Sequence, residues 1–347
     1  MGQRGAGFRW RVDDDDGQGA LFVDTGREML ERRRGTGAFR GMEFLHVRAH
    51  RIINTLPRSG RLPFRHTINA YRGCSHACTY CFARPSHEYL GLDVDEGFER
   101  QVVVKVNAVE RLRAELDPRR WAGEPIAMGT NTDPYQPAEG KYRLTRGIVQ
   151  VLGRRGNPFS ILTKSPLVLR DLDVLTEAAW RTEVRVDLSI GTLDEEVWRT
   201  TEPGTPHPRK RVEALARLNR AGIPSGVLLA PVLPGLSDHP EQLREVVEAC
   251  LEAGATFVSP ILLHLRPGAR EQYLGWLALA RPDLLPAYRE MYGARAYPPA
   301  ALRRRLARLV GAMVGRRRRP PSQQSARGHA PAPIGPSTVG DQLRLGL

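Results

Sequence analysis

From Leu45 onward the chain alternates short apolar runs with longer amphipathic stretches. Residues 67–71, 125–129, 159–163, 184–190, 226–230 and 256–262 form six such runs of five to seven residues, rich in Val, Ile, Leu and Phe and closed by Gly, Thr, Ser or Asn. That pattern predicts strands. Between them, residues 107–116, 145–154, 171–180, 209–220 and 241–253 repeat apolar positions at three- and four-residue spacing, which predicts five helices, the first capped by Asn107. Strands that alternate with helices need a parallel sheet with covered faces, as a doubly wound sheet or as a barrel. In either case a functional site belongs at the C-terminal ends of the strands.

The flanks are patterned differently. Residues 1–45 carry a four-Asp run (Asp13 to Asp16), an arginine cluster (Arg32 to Arg34) and little periodicity, so we expect a poorly ordered extension with one short helix near Glu28. Residues 266–315 place Leu274, Leu277 and Leu284, then Leu302, Leu306, Leu309 and Val310, at helical spacing, and predict a helical extension over the open side of the core. Residues 316–347 are polar and Pro-rich and predict a disordered basic tail, which leaves 46–265 as the core domain.

Composition narrows the class. A chain of 347 residues, 41% hydrophobic, can bury a full core, and no run approaches the length of a membrane helix, so no membrane partner is expected. The N-terminus shows no apolar stretch of the secretory kind. The net charge is +14, and residues 301–347 hold ten arginines against one acid, Asp341. This basic tail suits weak nucleic-acid binding, but with only four lysines in the chain it also suits a plain compositional bias towards arginine.

Chemistry concentrates in one stretch. Cys74, Cys78 and Cys81 stand at C-x3-C-x2-C spacing, whereas the fourth cysteine, Cys250, is far away in sequence. Clustered cysteines without a secretory signal point to metal binding in the reducing cytoplasm. One alternative is zinc, which wants four protein ligands and would recruit His76 or His87. The other is an iron–sulfur cluster on three thiolates, with one iron left for a ligand that is not protein.

With Tyr80 immediately before the third cysteine, the stretch Tyr71 to Phe82 resembles the radical S-adenosylmethionine (SAM) superfamily. The resemblance implies a partial (β/α)6 TIM-like barrel, a 4Fe–4S cluster on Cys74, Cys78 and Cys81, and SAM on the remaining iron. Reductive cleavage of SAM would yield a 5′-deoxyadenosyl radical for hydrogen abstraction, with an electron donor such as a flavodoxin or ferredoxin. It places Tyr80 near the adenine. Gly129, Thr130 and Asn131, after the second strand, take the place of the family's Gly-Gly-Glu segment around the SAM amino group, without the Glu. The following Thr132-Asp133-Pro134-Tyr135-Gln136-Pro137-Ala138-Glu139 is similar to the spore photoproduct lyase-related branch. Ser189, Glu202 and Arg211 would serve the SAM ribose and carboxylate, although each alone also suits a helix cap or an ion pair. Lys164, just past the third strand, has a place that suits the pocket, but solvent is the stronger expectation.

That branch suggests a nucleic-acid substrate. The lyase returns hydrogen from a cysteine beyond the cluster motif, and Cys250, at the end of a predicted helix, does not suit that role, which leaves Tyr135 and Tyr142 as weak substitutes. Modification of a peptide or small molecule is the alternative within the family. Outside it stands a non-catalytic metal-cluster module that docks on nucleic acid.

Overall fold

In a computed structural model the protein is described over residues 27–57 and 64–318. The strands are β1 (Arg27–Arg34), β2 (Glu43–Ala49), β3 (Ile53–Thr55), β4 (His66–Ile68), β5 (Tyr71–Arg72), β6 (Gln101–Lys105), β7 (Ile126–Met128), β8 (Phe159–Thr163), β9 (Val184–Ser189), β10 (Val227–Val232) and β11 (Val258–Leu262). The helices are α1 (Glu96–Arg100), α2 (Ala108–Glu115), α3 (Pro137–Tyr142), α4 (Leu144–Arg155), α5 (Leu172–Ala179), α6 (Glu195–Thr201), α7 (Pro208–Arg220), α8 (Pro240–Glu252), α9 (Ala269–Ala280), α10 (Leu285–Tyr292) and α11 (Ala300–Arg318).

Seven strands form the main sheet in the order β11-β10-β9-β8-β7-β4-β3. The six from β4 to β11 are parallel and correspond to the six apolar runs, and α2, α4, α5, α7 and α8 are the crossovers between them. This is the partial barrel of the expected α/β class, with a helical C-terminal part. The edge strand β3 adds an antiparallel partner that no sequence signal announced.

Three expectations need correction. Residues 27–34 are strand, not a helix near Glu28: β1 pairs antiparallel with β2, β2 lies parallel to β6, and β6 takes β5, which makes a second sheet of four strands. That sheet crosses the boundary placed at residue 45, while the Asp13 to Asp16 run lies outside the described residues. The run at 67–71 is two strands, because after β4 the chain leaves the main sheet and Tyr71–Arg72 joins the other one. Asn107 does not cap α2; its amide instead accepts from Ala49 N (2.9 Å) and donates to Ala49 O (3.0 Å), tying the second sheet to the helix.

One hydrophobic core runs under both sheets, from Phe44, Val102 and Val104 to Ile161, Val186 and Leu229, and includes Cys250. A separate cluster joins Leu265, Tyr273, Leu277, Tyr288 and Tyr292 of the α9–α10 region to Cys78 and Tyr80. α11 packs along α8 and β11 through Leu306 and Val310. Arg316 to Arg318 belong to this helix rather than to a disordered tail, and residues 319–347 lie outside the described part.

Candidate active site

The cysteine loop follows β5 directly and is gripped from several sides. Cys74 N donates to Phe98 O (2.9 Å), Thr79 N to Thr201 O (3.0 Å), and Gly204 N to His76 O (3.1 Å). Gly73 is in the left-handed region (φ +77°), and a Cβ there would lie 2.7 Å from Gln101 O, so the backbone passes where only glycine fits. Arg84, fully buried, donates to Cys78 O (3.1 Å) and to the Glu99 carboxylate, with its guanidinium over the Phe98 ring. Cys74 and Cys78 are buried and Cys81 half-buried. Burial and then the neighbouring charges, Glu202 for Cys78 and Cys74 for Cys81, push the Cys78 and Cys81 thiols up, Cys81 to about 11. Such thiols give up their protons to an arriving metal rather than to water.

The zinc alternative finds no support in the two histidines. His76 Nδ1 lies 3.4 Å from the Asp133 carboxylate, and His87 Nε2 donates to Gln101 O at 2.9 Å.

The segment from Thr132 to Glu139 is a bracket. Thr132 Oγ1 and Gln136 Nε2 both donate to Gly73 O (2.8 and 2.9 Å), and Gln136 Oε1 accepts from Ser75 N (3.2 Å). Asp133 accepts from Thr163 Oγ1 (2.6 Å) and Lys164 N (2.7 Å) at the end of β8. Burial alone would raise its pKa, but His76 and these donors outweigh burial and lower it. Glu139, fully buried, accepts from Tyr71 OH (2.5 Å), Thr145 N (2.9 Å) and Arg170 Nη2 (2.9 Å), which fastens the strand before the cysteines to the start of α4. This segment therefore holds the cysteine loop in place.

Opposite the bracket a buried polar hub crosses the ends of β8, β9 and β10. Lys164 Nζ donates to Glu202 Oε1 (2.8 Å), Ser189 Oγ (3.0 Å) and Ala230 O (3.3 Å), and sits 5.5 Å from the centre of the Tyr80 ring. Tyr80 OH donates to the same Glu202 oxygen. The other oxygen takes Arg211 Nη2 at 2.5 Å, and Arg211 also donates to Thr205 Oγ1 (2.6 Å), Ser189 O (3.1 Å) and Pro206 O. Burial raises the Glu202 pKa, but Arg211 and Lys164 overcome it and hold the carboxyl well below the usual range.

These positions follow from the local sequence. Arg211 occupies the inward stripe of α7 with Leu215 and Leu218, four and seven residues on, so it is buried to 1% exposure and its donors are spent on the protein. Lys164, weighed towards solvent in the sequence, turns inward instead; its only cue was its place one residue past β8. Gly129 (φ +91°) turns the chain directly against β8, since a Cβ would meet Leu162 O at 2.0 Å. Beyond it Thr130 Oγ1 and Asn131 Oδ1 are buried polar atoms with no hydrogen-bond partner among the described residues. Such atoms carry a desolvation cost that a polar ligand would offset.

The two tyrosines considered as hydrogen donors are elsewhere. Tyr142 pairs with His46 Nε2 (2.8 Å) against the second sheet. Tyr135 is fully buried in the main core, where burial and then Asp171 and Glu139 raise its pKa. Cys250 is buried in that core too, and burial pushes it up to about 12.

A parallel α/β barrel that carries three thiols on one loop at the C-terminal mouth, with a polar hub beside them, defines a class of cofactor-using enzymes. The sequence profile described as the radical SAM superfamily matches residues 68–250, and the chain belongs to that superfamily. It is 44% identical over 295 residues, 85% of each chain, to an uncharacterized protein of Mycobacterium tuberculosis (strain ATCC 25618 / H37Rv). It is 23% identical over 186 residues, 53% of this chain and 36% of the other, to a protein named radical SAM Nalpha-GlyT isomerase from Pseudomonas phage M6. Among solved structures it resembles a spore photoproduct lyase mutant (TM-score 0.58, 16% identity, 78% of each chain). Another such mutant, with bound AdoMet and dinucleoside spore photoproduct, gives a TM-score of 0.57 at 17% identity over 73% of this chain and 74% of that one. At this identity the likeness is one of fold.

Proposed function

We propose that Cys74, Cys78 and Cys81 hold a 4Fe–4S cluster and that the protein cleaves SAM reductively to take hydrogen from a substrate. The observation that carries this reading is the set of three thiols, two buried and one half-buried, on one braced loop, with the fourth cysteine locked in a distant part of the core. When bound, the cluster supplies the electron that turns SAM into methionine and a 5′-deoxyadenosyl radical. The residues present fit both groups. Thr130 and Asn131 offer the SAM amino group polar atoms that the protein leaves unpaired. Tyr80 walls the adenine side, its ring steadied by Glu202 and Lys164. Ser189 and Lys164 face the ribose, and Arg211 acts by positioning Glu202 rather than by clamping the SAM carboxylate, because its donors are already used.

The test is anaerobic reconstitution with iron and sulfide. The intact chain should take up about four irons and show a broad visible absorbance that SAM perturbs, and after reduction it should form 5′-deoxyadenosine slowly without substrate. Replacing any of the three cysteines by Ala should abolish both. A Cys74→Ala variant with full iron content sinks the assignment. Photoproduct-lyase chemistry is the weaker form of this reading, since it needs a hydrogen donor beyond the motif, whereas Tyr135 and Cys250 are buried in the main core and Tyr142 is paired with His46. The reductant would be a flavodoxin- or ferredoxin-type donor.

A further inference from the structure

α9 and α10 form a hairpin, residues 269–292, that packs against the cysteine loop. Its turn closes on itself, with Arg281 N donating to Leu277 O (2.8 Å) and Leu284 N to Arg281 O (3.1 Å). The inner face is mostly aromatic: Tyr273, Leu277, Tyr288 and Tyr292 are each at most 1% exposed and share one apolar cluster with Cys78 and Tyr80. Leu233 and Leu236 after β10, and Leu263 and Leu265 after β11, complete that cluster, which is separate from the main core. A unit with its own small core opens by itself, at a free energy below that of global unfolding.

Two further features suit the hairpin to motion. It is bounded by Gly268 (φ +83°, ψ −53°) and Gly293 (φ +50°, ψ −124°), backbone conformations that residues with a Cβ rarely adopt and that hinge positions use. It is also fastened to the strand ends by hydroxyls. Tyr288 OH donates to Pro234 O (2.8 Å) and Tyr292 OH to Leu263 O (2.6 Å), while Tyr273 OH donates to Tyr288 OH (3.0 Å). Both carbonyls lie within two residues of a strand end, β10 for one and β11 for the other. A Phe would fill the same space in a fixed roof. A phenol instead exchanges the carbonyl for water on opening, so each such bond adds only a modest net stability to the closed state.

We propose that the α9–α10 hairpin is a hinged lid over the mouth of the barrel, latched by Tyr288 and Tyr292, whose opening gives iron and SAM access to Cys78 and Tyr80. The two tyrosines are positioning residues, since they act through the hairpin and not on the reacting atoms. What the lid admits rests on the radical SAM reading. Its motion is tested on the iron-free protein, where that reading plays no part.

The probe is iodoacetamide on the full iron-free chain under native conditions, with the rate at each thiol followed by peptide mass spectrometry. Cys78 reports opening of the lid, and Cys250, buried in the main core, reports opening of the barrel in the same sample. Tyr288→Phe and Tyr292→Phe keep the ring and remove the latch. Each should speed modification of Cys78 roughly two- to tenfold, the equivalent of one lost hydrogen bond, and leave Cys250 unchanged. Gly293→Ala, whose methyl group would meet no atom within 4 Å but which strains the closed backbone, should act in the same direction. Cys78 rates equal to wild type in both latch variants, or Cys78 and Cys250 accelerating together, would overturn the lid. A protein that separates the two thiols in this way but takes up no iron would instead remove only the cluster and SAM reading.

Discussion

Glu202 shows how much of the site is decided by single buried charges. Its carboxylate is 4% exposed and sits between Lys164 and Arg211. Removing it as Glu202→Ala strands two cations, and breaking a buried pair in this way costs about 3–5 kcal/mol. The urea midpoint of iron-free protein should show the loss, apart from any effect on the cluster. The pH dependence has a definite sign. Arg211 and Lys164 outweigh burial and depress the folded-state pKa, so the stabilisation is present above the unfolded value of about 4.3 and is lost as pH falls below it. Wild type should therefore lose an increment of stability on acidification that Glu202→Ala lacks, and equal acid profiles for the two would refute the pairing. Cys250→Ser probes the opposite case: the new hydroxyl sits in the apolar core, so stability should drop by about 1–3 kcal/mol while iron content stays unchanged. The three-thiol loop was legible because the spacing of Cys74, Cys78 and Cys81 puts them on one short stretch. Lys164 was not, because its partners Ser189, Glu202 and Ala230 come from three other parts of the chain.

At the level of elements, the six parallel strands and five crossover helices were readable. A strand buried on both faces, such as β7, writes a continuous apolar run, and α7 writes its inward stripe at helical spacing. β1 was unreadable: Arg-Glu-Met-Leu-Glu-Arg-Arg-Arg at a sheet edge is mostly charged, and its strand state comes from pairing with β2. The role of the Thr132 to Glu139 segment was also hidden, since the sequence shows polar residues after a strand but not that they reach back to Gly73 and Tyr71. The turn that launches this segment makes its own prediction. Gly129→Ala must place a methyl group 2.0 Å from Leu162 O at φ +91°, so the β7–β8 junction has to shift. A cost of roughly 1–3 kcal/mol is expected, read as a lower Tm, with weaker SAM perturbation of the visible spectrum.

For the molecule as a whole, the cores are divided by function. The large cluster under both sheets contains no thiol of the loop, whereas the smaller clusters around α9, α10 and Phe98 include Cys74, Cys78 and Cys81 among their members or neighbours. Leaving out the proposed iron–sulfur cluster should therefore leave the barrel folded and loosen only its mouth. Hydrogen exchange should accelerate in residues 73–84 and 263–292 of the iron-free protein and stay unchanged in β8 and β9, and uniform acceleration would contradict this division. The second sheet then takes on a meaning of its own. Only Asn69 and Ala70 separate β4 in the barrel from β5 in the other sheet, and the first thiol comes two residues after β5. With so short a tether there is no slack to absorb a tilt between the two sheets. A change on the far side of β2 or β6 would be geared directly to the placement of the three thiols.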